Sequence, residues 1–460
     1  MLNENLTLPK IGKAPSLLLL VMAIIFVFVS QDPNIADQTL QTVLLQNLFF
    51  HNFIHPHFSI FQFLFILLIF YIFRQGRVTL ANSTFVERTI VFATGINIIF
   101  LMVNPNNDTE NPILGMPLLS DPSIYVSLLL MFALFLNRNK LLIVAILKKL
   151  FIYILWIAAL RALMLLILFF IGFGNITFFG VTSTLMEEDT LILFVLTSGI
   201  FLVLYFIRKK KIYLVVWFIF LFVQLLSFRR SGTLSFFLVN LTILIVHYFY
   251  GFNARKKTIV FFVLPLLVFG FITIVGSYDS LPKKYQMYVS RYVGAFVDLP
   301  SNYEYASESR NEHLIQSNES VFYAIENLPF WGFGYGRSES RSRYNYKGNT
   351  GIHNAFYNLW EQFGLFYLFY TLIFIFIFIS EALKTFKYRR KYPYDYLLIR
   401  TSVLAFVLIF WINSWVLMIH NIIGFKMVVI RLFLLSFLFY VTPSNYYLIK
   451  HKFRRFKIKL

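Results

Sequence analysis

The run LFIYILWIAALRALMLLILFFIGFG, Leu150–Gly174, holds 25 residues and a single charge, Arg161. A helix needs about 20 mostly apolar residues to cross the hydrocarbon core of a bilayer, so this run is predicted to span a membrane. It is one of about twelve. The others have approximate cores at Ala14–Ser30, Phe58–Phe73, Thr89–Val103, Ser123–Leu136, Leu191–Ile207, Ile212–Phe228, Thr233–Tyr250, Thr258–Gly276, Tyr357–Ile379, Leu397–Ile419 and Gly424–Tyr440. The fourth is short, and Leu141–Leu147 belongs either to the fifth helix or to the interface. Strands of a membrane barrel would be about ten residues long with period-two alternation, and these runs show neither. The expected fold is all-α and polytopic.

The composition agrees. Of 460 residues, 58% are hydrophobic, 20% aromatic and 13% charged, where a soluble domain carries about 25% charged residues. The mean hydropathy is +0.71. A soluble enzyme, a disordered chain, a collagen and a disulfide-stapled domain are excluded. With 0 Cys, thiolate chemistry and cysteine zinc sites are excluded as well.

The net charge of +20 acquires meaning from its placement. Alternate loops are basic: Arg74, Arg77 and Arg88; Arg138, Lys140, Lys148 and Lys149; Arg208 to Lys211; Arg255 to Lys257; Lys384, Lys387 and Arg389 to Lys391. The tail adds Lys450, Lys452, Arg454, Arg455, Lys457 and Lys459. The loops between carry Asp32 and Asp37; Asp108, Glu110 and Asp121; Glu187 to Asp189, and neither Lys nor Arg. Cytoplasmic loops collect Lys and Arg, so both termini are expected in the cytoplasm. The basic tail is read as a lipid-facing anchor, not a nucleic-acid patch. The first span has no small-residue cleavage site and is expected to be retained. The expected organisation is a membrane bundle over 1–276, a large outer loop over 277–352, C-terminal membrane helices over 353–440 and a basic tail over 441–460.

Some cations lie where this topology does not want them. Arg229 and Arg230 end the seventh span on its outer side, Lys426 and Arg431 enter the twelfth from outside, and Arg161 is central in the fifth. A charge at mid-bilayer costs at least ~2.5–3.5 kcal/mol. Arg161 suits pairing with another helix, and Arg400 suits snorkelling towards the cytoplasm. Arg229 and Arg230 are either interfacial anchors or a clamp for an anion, since Arg grips phosphate bidentately and keeps its charge.

The outer loop is rich in Ser, Tyr, Asn and charge, and long loops tend to be functional. Ser309-Arg310-Asn311-Glu312 has a capping-box pattern. Leu314, Val321, Phe322 and Ile325 follow on one helical face, so a short amphipathic helix is expected from Arg310 to about Asn327. Arg310 in its first turn would lie beside free backbone N–H groups, a setting for phosphate, or would pair with Glu308 or Glu312. Asn327-Leu328-Pro329-Phe330-Trp331-Gly332-Phe333-Gly334-Tyr335-Gly336 then predicts a helix stop and a tight turn of close backbone approach, with Trp331 and Tyr335 as sugar-stacking faces. His353, Tyr357, Trp360, Gly364 and Tyr367 fall on one helical face at i, i+4, i+7, i+11 and i+14. His353 at the mouth of a span is either a proton acceptor near neutral pH or a capping residue. His51, His55 and His57 form another cluster, but Pro56 interrupts the helix that paired ligation would want, and no metal site is assigned.

These residues resemble the O-antigen polymerase and O-antigen ligase superfamily of bacterial inner-membrane glycosyltransferases. The resemblance rests on about twelve spans with both termini inside, one large loop between the ninth and tenth, Arg310 opening a helix that ends in Asn-Leu-Pro-Phe-Trp-Gly-Phe-Gly-Tyr-Gly, and His353-Asn354, nine residues, Gly364, two residues, Tyr367. Arg229-Arg230-Ser-Gly looks like the family's outer-end Arg-Gly element, with the Arg doubled. The specific part covers Arg310–Tyr367 and that one turn. The resemblance implies a glycosyltransferase-C-like architecture in the inner membrane, with the active site facing the periplasm. It implies transfer of a glycan from undecaprenyl diphosphate to a sugar hydroxyl without metal or other cofactor. Arg310, with Arg229 or Arg230, would bind the diphosphate, with Arg291, Lys426 and Arg431 as further candidates. His353 would orient or deprotonate the acceptor, and Asn354, Trp331 and Tyr335 would contact glycan. A polymerase would take a second lipid-linked repeat unit as acceptor, and a chain-length regulator is a further expected partner. A ligase would take the lipid A core. A lipid-linked sugar transporter, the alternative of another class, predicts broken helices in inverted pairs with cations at the midplane.

Overall fold

A computed structural model describes residues 8–28, 60–76, 83–103, 122–172, 175–178, 181–184, 188–227, 230–251, 280, 286, 322–323, 325–332, 355–416 and 425–441. Eleven of the twelve apolar runs are helices: α1 Lys13–Phe28, α2 Ile60–Gln75, α3 Phe85–Val103, α4 Pro122–Phe135, α5 Lys140–Phe170, α6 Glu188–Arg208, α7 Lys211–Leu226, α8 Arg230–Gly251, α9 Ala355–Lys387, α10 Tyr394–Val416 and α11 Phe425–Tyr440. The ninth run, Thr258–Gly276, lies outside the described residues. Among the described residues two helices, Lys140–Phe170 and Gly232–Gly251 within α8, are long and apolar enough to cross a membrane. The helices also carry large apolar side chains on their outer faces. Phe70 is 66% exposed, Phe170 76% and Phe376 71%.

An element not expected from the sequence follows α5. Asn175–Phe178 (β1) and Val181–Thr184 (β2) form an antiparallel hairpin, Asn175 opposite Thr184 and Phe178 opposite Val181. The described residues are of the helical class expected from the sequence, with this one short ribbon added. Its Thr and Ile content suits strands, but four residues are too few for periodicity to reveal.

The chain forms two compact units, each assembled from segments that are separate in sequence. One comprises 1–158, 315–392 and 414–460, the other 159–314 and 393–413.

In the first unit, α11 supplies Phe433 against Phe65 of α2, Phe437 against Phe151 of α5, and Phe439 against Phe135 at the end of α4. α5 opens at Lys140, so Leu141–Leu147 and the pair Lys148–Lys149 are helical and not loop. Asn139 starts it, its side-chain oxygen accepting the Leu142 N–H at 3.1 Å, which satisfies an otherwise orphaned donor. Thr84 and Glu87 form a capping box at α3: the Thr84 N–H donates to Glu87 Oε2 at 2.6 Å and the Glu87 N–H to Thr84 Oγ1 at 3.3 Å. Lys140 Nζ then donates to Glu87 Oε1 (2.8 Å), to the Phe135 carbonyl (2.6 Å) and to the Tyr440 hydroxyl (3.1 Å). Tyr440 donates to the Leu134 carbonyl at 3.1 Å. One buried network thus fastens the ends of α3, α4, α5 and α11. Burial alone would push the Glu87 carboxyl up. The Lys140 ammonium, the Thr84 N–H and the Tyr440 hydroxyl outweigh it and hold the carboxyl below its ordinary value. Gly76, after α2, lies where a Cβ would meet the Asn137 side chain at 2.3–2.9 Å, and Asn137 Nδ2 donates to the Ile72 carbonyl at 3.3 Å.

In the second unit, α6, α7 and α8 pack together, with β2 on α7. Phe220 of α7 meets Phe194 and Phe201 of α6 at 5.1 and 5.9 Å. Gly199 lets α8 approach, since a Cβ there would lie 3.1 Å from Val239 and Ile243. Trp217 Nε1 donates to Asn240 Oδ1 at 2.8 Å, and Asn240 Nδ2 donates to the Phe236 carbonyl at 2.7 Å and to Ser198 Oγ at 3.4 Å. His247 stacks on Phe206 at 3.8 Å and hydrogen-bonds the Tyr394 hydroxyl. Arg161 is buried and partnered. Arg400 lies in the second turn of α10. It is buried, and its Nη1 donates to Tyr396 one turn back at 3.0 Å.

Candidate functional site

The longest described stretch of the outer segment opens with helical Phe322–Tyr323 and Ile325–Asn327. Asn327 Nδ2 donates to the Tyr323 carbonyl at 3.0 Å. The remainder of the expected amphipathic helix, with Arg310, lies outside the described residues. The chain then turns over Leu328–Gly332, as Pro329 and Gly332 predicted. The Gly332 N–H donates to the Leu328 carbonyl at 2.9 Å, and Gly332 has φ 62°, a left-handed value that glycine adopts at no steric cost. The Trp331 ring packs on Phe100 of α3, centroids 5.9 Å apart.

This turn is seated on a break in α9. Gly364 has φ 68° and ψ −164° inside the helix, a conformation essentially reserved for glycine. A Cβ there would lie 2.2 Å from the Phe330 carbonyl oxygen, 2.3 Å from its carbon and 2.5 Å from the Trp331 nitrogen. The Leu365 N–H, which in an unbroken helix would donate four residues back, donates to the Pro329 carbonyl at 2.9 Å. The two stretches that carry the family resemblance, Asn327–Gly332 and the one containing Gly364, are therefore in backbone contact. The same break interrupts the expected single face between Trp360 and Tyr367; His353, its first member, lies outside the described residues. Residues before and after Gly364 are not in helical phase, because periodicity assumes uniform backbone angles and Gly364 departs from them.

The other candidates divide as follows. Arg310, Arg291, His353, Asn354, Tyr335 and Arg229 lie outside the described residues, as do His51, His55 and His57. Arg230 is the first residue of α8, in the second unit. Lys426 and Arg431 fall in the first two turns of α11, in the first unit. Trp331 is half-buried against Phe100.

The connection holding Arg229 and Arg230 is anchored at both ends by one carbonyl. Gln224 O accepts Ser227 Oγ at 2.7 Å and Thr233 Oγ1, from the first turn of α8, at 3.2 Å. The Gln224 side chain is fully buried on the face that carries Phe220. Neither Nε2 nor Oε1 has a hydrogen-bond partner among the described residues. Sequence reading passed over Gln224, Asn240 and Ser198. The available signal was a polar side chain inside an apolar run, which costs energy in lipid and therefore faces protein.

No family model matches the chain, and no curated protein matches it.

Proposed function

We propose that the chain is a multi-pass glycosyltransferase of the bacterial inner membrane that joins undecaprenyl-diphosphate-linked oligosaccharide units into a surface polysaccharide at the periplasmic face. The observation that carries this reading is the seating of Gly364 on the Phe330–Trp331 peptide. It joins the two stretches on which the resemblance rests, although they are separate in sequence. The Glu87–Lys140–Tyr440 network supports the topology, because the basic loops around Arg88 and Lys140 and the basic tail after Tyr440 are all assigned to the inner side by their charge. Outward Phe70, Phe170 and Phe376 suit lipid.

In this reading the acceptor hydroxyl attacks the anomeric carbon of the donor sugar. The bond from that carbon to the diphosphate oxygen breaks, and its electron pair leaves with undecaprenyl diphosphate. Arg310, with Arg229 or Arg230, holds the diphosphate and stabilises the charge that develops there. Arg291, Lys426 and Arg431 are the reserve cations. His353 accepts the hydroxyl proton, and Asn354, Trp331 and Tyr335 line the glycan path. Fixed arginines take the part that a divalent ion plays elsewhere.

Purified protein in liposomes with a lipid-diphosphate oligosaccharide is expected to lengthen the glycan in EDTA. His353→Ala and Arg310→Ala are expected to abolish elongation while inserting normally. Near-parental turnover in both variants discards the site, and an EDTA-sensitive reaction discards the arginine clamp. Supplying lipid A core beside the lipid-linked unit separates ligase from polymerase. Movement of the lipid-linked unit across the bilayer without elongation would identify a transporter.

A further inference from the structure

The Leu328–Gly332 turn is held by two helices, and each of them gives its depth. Beyond the break, α9 runs on to Lys387, with Lys384 and Lys387 in its last turn. Gly364 precedes Lys384 by about 30 Å of helix at 1.5 Å per residue, and the hydrocarbon core of a bilayer is about 30 Å thick. A tilt of about 20° would shorten that reach by only about 2 Å. With the basic end of α9 at the inner face, Gly364 falls at the outer edge of the hydrocarbon. The Phe330–Trp331 peptide is seated on Gly364, and Pro329 accepts the Leu365 N–H at 2.9 Å, so the turn lies at the same depth. α3 gives a second measure. Trp331 packs on Phe100, about 20 Å of helix beyond Glu87 at the inner end and one turn short of Val103, where α3 ends. The turn is level with the outer ends of both helices, not above them.

Both helices carry exposed apolar stripes that lead to the turn. On α3, Phe92, Ile96, Ile99 and Val103 follow one another at i, i+4, i+7 and i+11, and all four are exposed. On α9, Phe369, Phe376 and Leu383 repeat at i, i+7 and i+14 and are exposed as well. The outer stretch continues that character. Phe330 is 52% exposed, and Phe322, in the helical stretch before it, 61%. Leu328–Gly332 contains no charged side chain. Its backbone also suits a poorly hydrated layer. Pro329 has no N–H to satisfy, and the Leu328 and Pro329 carbonyls accept the Gly332 and Leu365 N–H groups. Non-helical backbone is tolerated at membrane depth where protein meets its polar groups. We propose that this turn rests in the outer leaflet, with Phe322 and Phe330 against the acyl chains of phospholipid at the headgroup boundary, as apolar side chains of interfacial elements are. The inference rests on the membrane-spanning part of the proposed function and is independent of its chemistry.

The chain has no native cysteine, so each of Phe330→Cys, Phe322→Cys, Phe376→Cys and Lys391→Cys carries one thiol for a nitroxide label. The full-length variants are reconstituted in phosphatidylcholine–phosphatidylglycerol vesicles. Power-saturation electron paramagnetic resonance then reads collision with oxygen, which concentrates in hydrocarbon, and with a water-soluble nickel chelate. Position 376, midway along the spanning part of α9, is the lipid reference, and exposed position 391 is the aqueous one. The expected oxygen-to-nickel ratio at positions 330 and 322 is several-fold above that at 391 and below that at 376. A ratio at position 330 equal to that at 391 overturns the proposal. Low access to both reagents at position 330, the mark of a site covered by protein, overturns it too. Should Phe330→Cys not fold, position 322 decides by the same two criteria. A water-like ratio at position 376 overturns the membrane reading and this proposal together, whereas a lipid-like ratio there with a water-like one at 330 overturns this proposal alone.

Discussion

Gln224→Met is expected to stabilise the protein. Gln224 is 0% exposed, and both atoms of its amide head are without partners among the described residues. Burying a polar group without a hydrogen bond costs about 1–3 kcal/mol. Met has nearly the same length and flexibility, fills irregular gaps, and brings no group that demands a partner. The substitution leaves the Gln224 carbonyl in place, so the bonds from Ser227 and Thr233 that brace the α7–α8 connection persist. The expected gain is therefore the whole amide penalty, about 1–3 kcal/mol. Gln224→Glu should destabilise, because a carboxylate at a fully buried position costs more to desolvate than an amide does. Gln224→Ala should fall below Met, since removing the side chain opens a cavity beside Phe220. The assay is unfolding in mild detergent by graded SDS, followed by circular dichroism, with midpoints compared across the four proteins. A Met variant no more stable than the parent would refute the reasoning, and would mean that the amide is satisfied, for example by an ordered water bridging it to the backbone.

Lys140→Met removes three hydrogen bonds and leaves the buried Glu87 carboxylate without its cation, which should cost about 3–5 kcal/mol. Adding Glu87→Leu should recover most of that loss, and a double-mutant cycle in the same unfolding assay reads the coupling. Because the Glu87 carboxyl is held below its ordinary value, its contribution is present above the ordinary carboxylate range, around pH 4, and is lost as pH falls through the depressed value. The stability difference between the parent and Glu87→Gln, measured against pH, should therefore narrow on acidification. Asn240→Leu strands the Trp217 indole N–H and should cost about 1–3 kcal/mol, and Trp217→Phe in the same chain should relieve part of it. Gly76→Ala drives a methyl group onto Asn137 and should lower stability by about 1–3 kcal/mol, measured by the same midpoints.

The helices were legible because a long apolar run has few ways to satisfy its backbone, and the local helix satisfies it at once. Leu150–Gly174 needed no information from elsewhere to read as helix. Thr84-x-x-Glu87 and Asn139 before Lys140 are start signals of the same local kind. The turn at Pro329–Gly332 was also legible, since proline and glycine act on the chain where they stand. The hairpin at Asn175–Thr184 was not, because two strands of four residues exist only through each other.

The sequence by itself determined which segments are helical, where basic residues gather and that Leu328–Gly332 reverses the chain, because these follow from properties of neighbouring residues. Only the tertiary structure decided that Gly364 breaks α9. A glycine in a helical pattern is tolerated without a break, and here its angles are set by a peptide at Phe330–Trp331 that periodicity cannot see. It alone also decided that Lys140 meets both Glu87 and Tyr440, 53 and 300 residues away. A buried charge takes whichever partner the packing of apolar faces brings within reach, and one-dimensional order does not encode that meeting.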